Sequence, residues 1–129
     1  MIKTQARILV VEDESIVALD LKFRLMSMGY AVPALAASGE AAIQEAARTR
    51  PDVVLMDIRL HGDMDGIQAA REIQARFDIP VIYLTALADD STLRRVAETP
   101  HAGCILKPFD DNELQSAIEV ALSRSTGEA

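Results

Sequence analysis

The chain has 129 residues, 50% of them hydrophobic and 26% charged, with 13 Lys and Arg against 20 Asp and Glu for a net charge of -7. That length buries a core without disulfides or a structural metal, and the acidic balance excludes the clustered Lys and Arg surface that nucleic-acid phosphates require. Apolar runs stop at four or five residues, too short for a signal-peptide core or a membrane span, so a cytoplasmic protein is expected, with no membrane and no nucleic acid among its partners.

Short apolar runs alternate with amphipathic stretches from end to end, the pattern of repeated βαβ units around a parallel sheet. "RILVVED" (7–13) reads as the first strand. Residues 14–28 follow with helical spacing and stop at Gly29, where a left-handed C-terminal cap is expected. This helix carries two apolar stripes: Val17, Leu21, Leu25 and Met28 form one, and Ile16, Leu19, Phe23 and Met26 form the other. One must face the sheet. The second either packs on the last helix or stays exposed to dock a helical partner or a second copy. "YAVPALAAS" (30–38) is a weaker strand, because Pro33 cannot donate to a ladder and favours a sheet edge. Ala42, Ile43, Ala46 and Ala47 mark one face of a second helix ending before Pro51.

"DVVLMD" (52–57) is the third strand, apolar in succession as a strand buried on both faces should be. Ile67, Ala70, Ile73 and Phe77 give the third helix its buried stripe. "PVIYLTA" (80–86) is the fourth strand, and Leu93, Val96 and Ala97 suggest a short fourth helix ending by Pro100. "GCILK" (103–107) is the fifth strand, in which the lone cysteine, Cys104, is expected as a small buried apolar residue rather than a redox thiol. Leu114, Ala117, Ile118, Ala121 and Leu122 form the clearest amphipathic face. Asp110, with Glu113 three residues on, resembles a capping box that starts this last helix, and the final "SRSTGEA" is polar.

In open parallel α/β sheets, ligands bind beyond the carboxyl ends of the strands. Strand one ends in Glu12 and Asp13, strand three in Asp57, strand four in Thr85 and strand five in Lys107. Neighbouring strands lie about 4.8 Å apart, so these groups should converge. Each has a structural reading on its own: the first two acids as helix caps, Asp57 as a turn former, Thr85 as a strand-ending residue, Lys107 as a solvated charge. Together they describe a chemical site. Three carboxylates within a few ångströms repel one another unless a cation joins them, and a small all-oxygen cluster suits Mg²⁺. Asp57 could then act as a nucleophile toward phosphorus, with Lys107 and Thr85 neutralising and hydrogen-bonding the phosphoryl oxygens.

The segments "ILVVEDE", "VVLMDIRL", "MDGI", "VIYLTA" and "ILKPF", in this order and spacing, resemble the receiver domain of two-component response regulators, over residues 7 to about 122. The wording of "DMDGIQAA" and "IPVIYLTA" is most similar to receivers found beside sensor and hybrid kinases. The resemblance implies a flavodoxin-like three-layer α/β sandwich: a (βα)5 doubly wound parallel sheet of strand order 2-1-3-4-5, as one receiver domain over 1–129 with a polar tail from 123. It implies that Asp57 accepts a phosphoryl group from a histidine kinase or histidine phosphotransfer protein. Mg²⁺ would be held by Glu12, Asp13, Asp57 and the backbone carbonyl of Arg59, the phosphoryl group by Thr85 and Lys107, and the Lys107–Pro108 bond would be cis. A downstream protein would bind the face made by the fourth helix, fifth strand and fifth helix, and a homodimer is compatible with it. The protein would be a switch with self-phosphorylation and slow self-dephosphorylation, not a turnover enzyme.

Two departures from the family pattern stand out. Cys104 occupies the place, three residues before the lysine, of a usual aromatic that swings inward, so a smaller or differently routed change in the output face is expected. The loop "RLHGDMDG" is one residue longer than the common form. Arg59 and Leu87 should flank the path of a hydrolytic water, with the apolar Leu87 slowing loss of the phosphoryl group. Two rival readings are a phosphohydrolase that also forms an aspartyl-phosphate, disfavoured because Arg59 stands where its second Asp belongs, and a non-phosphorylated interaction module. "HGDMDG" with Glu72 imitates a calcium loop, but His61 takes the first ligand position and a strand precedes it.

Overall fold

Five apolar runs become five parallel strands in the computed structural model, which describes residues 5–86 and 89–125. Strands β1 (Ile8–Val11), β3 (Val53–Asp57) and β4 (Val81–Thr85) are buried at every position, as their unbroken apolar runs require in a sheet covered on both faces. β2 (Leu35–Ala36) and β5 (Gly103–Leu106) complete a sheet of order β2-β1-β3-β4-β5. β2 is the edge strand that Pro33 predicts. Only two residues join its ladder, and upstream of the proline the pairing survives as a single bridge between Arg7 and Ala31.

Between the strands run α1 (Ser15–Ser27), α2 (Gly39–Thr49), α3 (Gly66–Phe77), α4 (Asp90–Glu98) and finally α5 (Asp111–Ser125). Their ends follow local chemistry. Gly29 turns the chain after α1 with φ 97°, letting the Tyr30 N–H return to the Leu25 carbonyl at 3.1 Å. Ser38 caps α2, Asp65 caps α3 in a reciprocal box with Gln68, and Asp89 caps α4. Before α5, the Glu113 N–H donates to Asp110 at 2.8 Å while the Asp110 N–H donates to Glu113 at 3.0 Å.

Two apolar layers enclose the sheet. Leu21 and Leu25 of α1 join Leu114, Ile118 and Ala121 of α5 against Ile8, Val10, Leu55 and Leu84. Ala42 and Ala46 of α2, Ile67 and Ile73 of α3 and Val96 of α4 cover Leu9, Val54, Met56 and Tyr83 on the other side. Of the two stripes on α1, the one through Leu21 and Leu25 faces the sheet. The other is left largely in solvent: Ile16 is 82% exposed, Leu19 43%, Phe23 61% and Met26 50%.

Two expectations about side chains, at Cys104 and Ala47, require correction. Cys104 is exposed, because β5 is an edge strand whose residues alternate between cover and solvent. The fourth helix forms where Leu93, Val96 and Ala97 suggest it and ends before Pro100, with Val96 its one buried residue and Leu93 and Ala97 exposed. Ala47 likewise faces solvent from α2. No helix among the described residues is long and apolar enough to cross a membrane.

Candidate functional site

The parallel register carries Asp57, Thr85 and the residues after β1 and β5 to one edge. Val11 pairs with Met56, Asp57 with Leu84, and Thr85 with Leu106, so the residues that follow each pair emerge side by side. They line a cleft of about 410 Å³ that includes Glu12, Asp13, Asp57, Arg59, Thr85 and Lys107.

Glu12, Asp13 and Asp57 each offer a carboxylate oxygen within 4.8 Å of the others. The Lys107 ammonium donates to Glu12 at 3.3 Å and to Asp57 at 3.5 Å. The second Glu12 oxygen accepts the Glu14 N–H at 3.1 Å, and the Arg59 N–H donates to Asp57 at 3.2 Å. Thr85 is buried on the neighbouring strand end, where its carbonyl accepts the Lys107 N–H at 2.8 Å. The Lys107–Pro108 peptide bond is cis.

One ammonium faces three acids, and the imbalance shows at Glu12. Burial, reinforced by the Asp57 charge, pushes its carboxyl up to about 7 against the opposing pull of the Glu14 N–H and Lys107. A cation among the three would relieve that repulsion. The three groups that could hold an ion, Glu12, Asp13 and Asp57, all offer hard carboxylate oxygens, which fits Mg²⁺ and is a poor match for a soft metal.

Three supporting features were not anticipated from the sequence. His61 bonds Asp13 through both its ring Nδ1 and its backbone N–H, tying the loop after β3 to the loop after β1. Arg24 of α1 reaches Asp111 at 2.7 Å and the Phe109 carbonyl at 3.2 Å, with its guanidinium 5.1 Å from the Phe109 ring centroid, and so braces the segment that follows Lys107. Gly66 opens α3 directly against the end of β3, where any Cβ would meet the Asp57 carbonyl oxygen at 2.1 Å. The i, i+4 pair of Asp20 and Arg24 was visible in the sequence, but nothing local marks a contact across 87 residues. Asp65, within the segment that imitates a calcium loop, accepts the Gln68 N–H and pairs with Arg95. Leu87 lies outside the described residues.

A doubly wound sheet with an acid cluster, a lysine and a threonine at its switch point is the architecture of a phosphorylatable signalling receiver. The chain belongs to the response regulator receiver domain family, whose model matches residues 8–119. It is 35% identical over 118 residues to the transcriptional regulatory protein PdtaR of Mycobacterium tuberculosis, covering 92% of this chain and 57% of that protein. A probable transcriptional regulator, ycf27, of Guillardia theta is 34% identical over 96% of this chain and 48% of its own. The chain thus spans about half the length of the curated relatives it matches. Among solved structures, the signal receiver domain of a modulated diguanylate cyclase from Desulfovibrio desulfuricans G20 superposes with a TM-score of 0.91 at 32% identity, covering 98% of this chain and 100% of that one. A CheY-like receiver from Methanospirillum hungatei shares the fold, with a TM-score of 0.87 at 23% identity over 98% of this chain and 100% of its own. Receiver domains are signalling switches that interact with histidine kinases or phosphotransfer proteins.

Proposed function

We propose that Asp57 accepts a phosphoryl group from a phosphohistidine donor in a Mg²⁺-dependent reaction, and that the change is passed to a protein-binding surface. The observation that carries this reading is the approach of three carboxylates to within 4.8 Å of one another beside the Lys107 ammonium. An Asp57 carboxylate oxygen attacks phosphorus, the phosphorus–nitrogen bond of the donor breaks, and the imidazole leaves and takes up a proton. Lys107 and the Thr85 hydroxyl bind the phosphoryl oxygens as their charge redistributes. Glu12, Asp13, Asp57 and the Arg59 carbonyl would hold Mg²⁺, which supplies positive charge against the repelling acids and the phosphoryl group. Later attack by water on phosphorus releases phosphate and restores the carboxylate.

The exposed stripe of Ile16, Leu19, Phe23 and Met26 starts close to the cleft and supports docking of a helical donor, a histidine kinase or phosphotransfer protein. Leu93, Leu106 and Val120, each at least 45% exposed, support a downstream protein or a second copy on the α4–β5–α5 face. A cytoplasmic location, where such donors act, belongs to the same reading.

The test is incubation with Mg²⁺ and acetyl phosphate followed by intact-mass measurement. Wild type gains one phosphoryl group and Asp57→Asn gains none. Equal labelling of both proteins, or continuous phosphate release from diverse monoesters, would defeat the proposal.

A further inference from the structure

Tyr83 stands in the middle of β4 with its side chain fully buried on the side of the sheet covered by α2, α3 and α4. Its hydroxyl is, among the described residues, the one buried side-chain polar atom without a hydrogen-bond partner. Buried phenols ordinarily find one, and leaving the group unbonded costs its lost hydration. A state in which the bond is made would therefore be favoured, and the neighbourhood contains an acceptor already in use.

That acceptor is Asp65. Arg95 of α4 holds its carboxylate at 2.8 Å, while the other carboxylate oxygen caps α3 by accepting the Gln68 N–H at 2.9 Å. The charges of Asp65, Arg95 and Arg71 all act on the Tyr83 phenol. Among the described residues, Arg95 to Asp65 is the one ion pair joining α4 to another element. Little else secures α4 on this face, since it buries only Val96 and leaves Leu93 45% exposed. The helix is placed by a bond that can be exchanged.

Tyr83 also lies between the acceptor site and the output face. It is two residues before Thr85 and so shares its side of the strand. On the neighbouring strand it pairs with the exposed Cys104, and its ring lies 5.5 Å from that of His101, tilted by 44°.

We propose that Tyr83 couples phosphorylation to α4 by an exchange of partners on Asp65. When the phosphoryl group on Asp57 draws in Thr85, Arg95 releases Asp65, α4 shifts, and the Tyr83 hydroxyl donates to the freed carboxylate. The inference rests on the phosphoacceptor reading above and adds a route for the signal that needs no aromatic at position 104. The unbonded phenol biases the equilibrium between the two positions of α4 by a factor of roughly 5 to 150 toward the shifted one.

The experiment follows the backbone amide resonances of residues 90–98, with thermal melts and intact mass, before and after treatment with Mg²⁺ and acetyl phosphate. Tyr83→Phe removes the hydroxyl and nothing else. It is expected to melt above wild type when untreated and, at equal phosphoryl mass, to populate the shifted α4 position less by that factor. Arg95→Met is expected to move the same resonances toward their phosphorylated positions with no phosphodonor present. A Tyr83→Phe protein that melts no higher than wild type, or that shows the full wild-type shift when labelled, overturns the proposal; so does Arg95→Met with unmoved α4 resonances. Absence of phosphoryl mass on wild type defeats the phosphoacceptor reading itself, and the untreated melts and the Arg95→Met spectrum still decide whether the phenol and the bridge are linked.

Discussion

Replacing Glu12 with Gln separates the cost of the acidic cluster from its use. Glu12 is 3% exposed, and its burial, with the Asp57 charge, lifts its carboxyl from 4.5 to about 7. A group whose pKa rises on folding contributes stability that is complete below its unfolded value and is lost as pH climbs through the folded one. For Glu12 that window runs from 4.5 to about 7. At about 1.4 kcal/mol per pKa unit, the ionised carboxylate costs the metal-free protein on the order of 3 kcal/mol at pH 8, or about 10 °C in melting temperature for a chain of this size. The assay is a set of thermal melts in EDTA between about pH 4 and 8, repeated with Mg²⁺. Without metal, Glu12→Gln is expected to melt about 10 °C above wild type at pH 8 and to converge with it near pH 4. With Mg²⁺ the gap narrows, because wild type gains more from the cation. Parallel pH profiles for the two proteins, or a lower metal-free melting point for Glu12→Gln at pH 8, would refute the reasoning.

Gly66→Ala places a Cβ 2.1 Å from the Asp57 carbonyl, so urea unfolding should show a loss of about 1–3 kcal/mol or more, with slower labelling by acetyl phosphate. Arg24→Ala removes the bonds to Asp111 and Phe109; the pair is partly solvated, so a loss of about 1 kcal/mol in unfolding free energy is expected from urea denaturation. Phe23→Asp, on the exposed stripe of α1, is expected to leave acetyl phosphate labelling unchanged while slowing transfer from a phosphohistidine protein by at least about tenfold, as read by the loss of label from the donor.

Much of the architecture was legible because its signals are local. Pro33 announces an edge strand, Gly29 a helix stop, and Asp110 with Glu113 a helix start, and each acts within a few residues of itself. The site was legible for a related reason. A parallel strand ends where its apolar run ends, so Glu12, Asp57, Thr85 and Lys107 could be assigned to one edge before any pairing was known. Burial at the margins was harder to read. Cys104 looks like a core residue within "GCILK", yet whether a helix covers an edge strand depends on neighbours far away in the chain. The two stripes of α1 were equal in apolar content, and only the packing of α1 against the sheet and α5 shows which one stays in water.

Hydrophobic period, capping residues and the polar ends of apolar runs thus determined the order of elements, the parallel sheet and the membership of the acid cluster, since each depends on spacing along one chain. Tertiary structure alone decided that His61 bonds Asp13, that Arg24 spans from α1 to Phe109, that the Tyr83 hydroxyl is buried without a partner, and that Arg95 pairs with Asp65. Hydrogen bonds and ion pairs act over a few ångströms between groups whose separation in sequence carries no periodic mark, so only the packed chain brings them together.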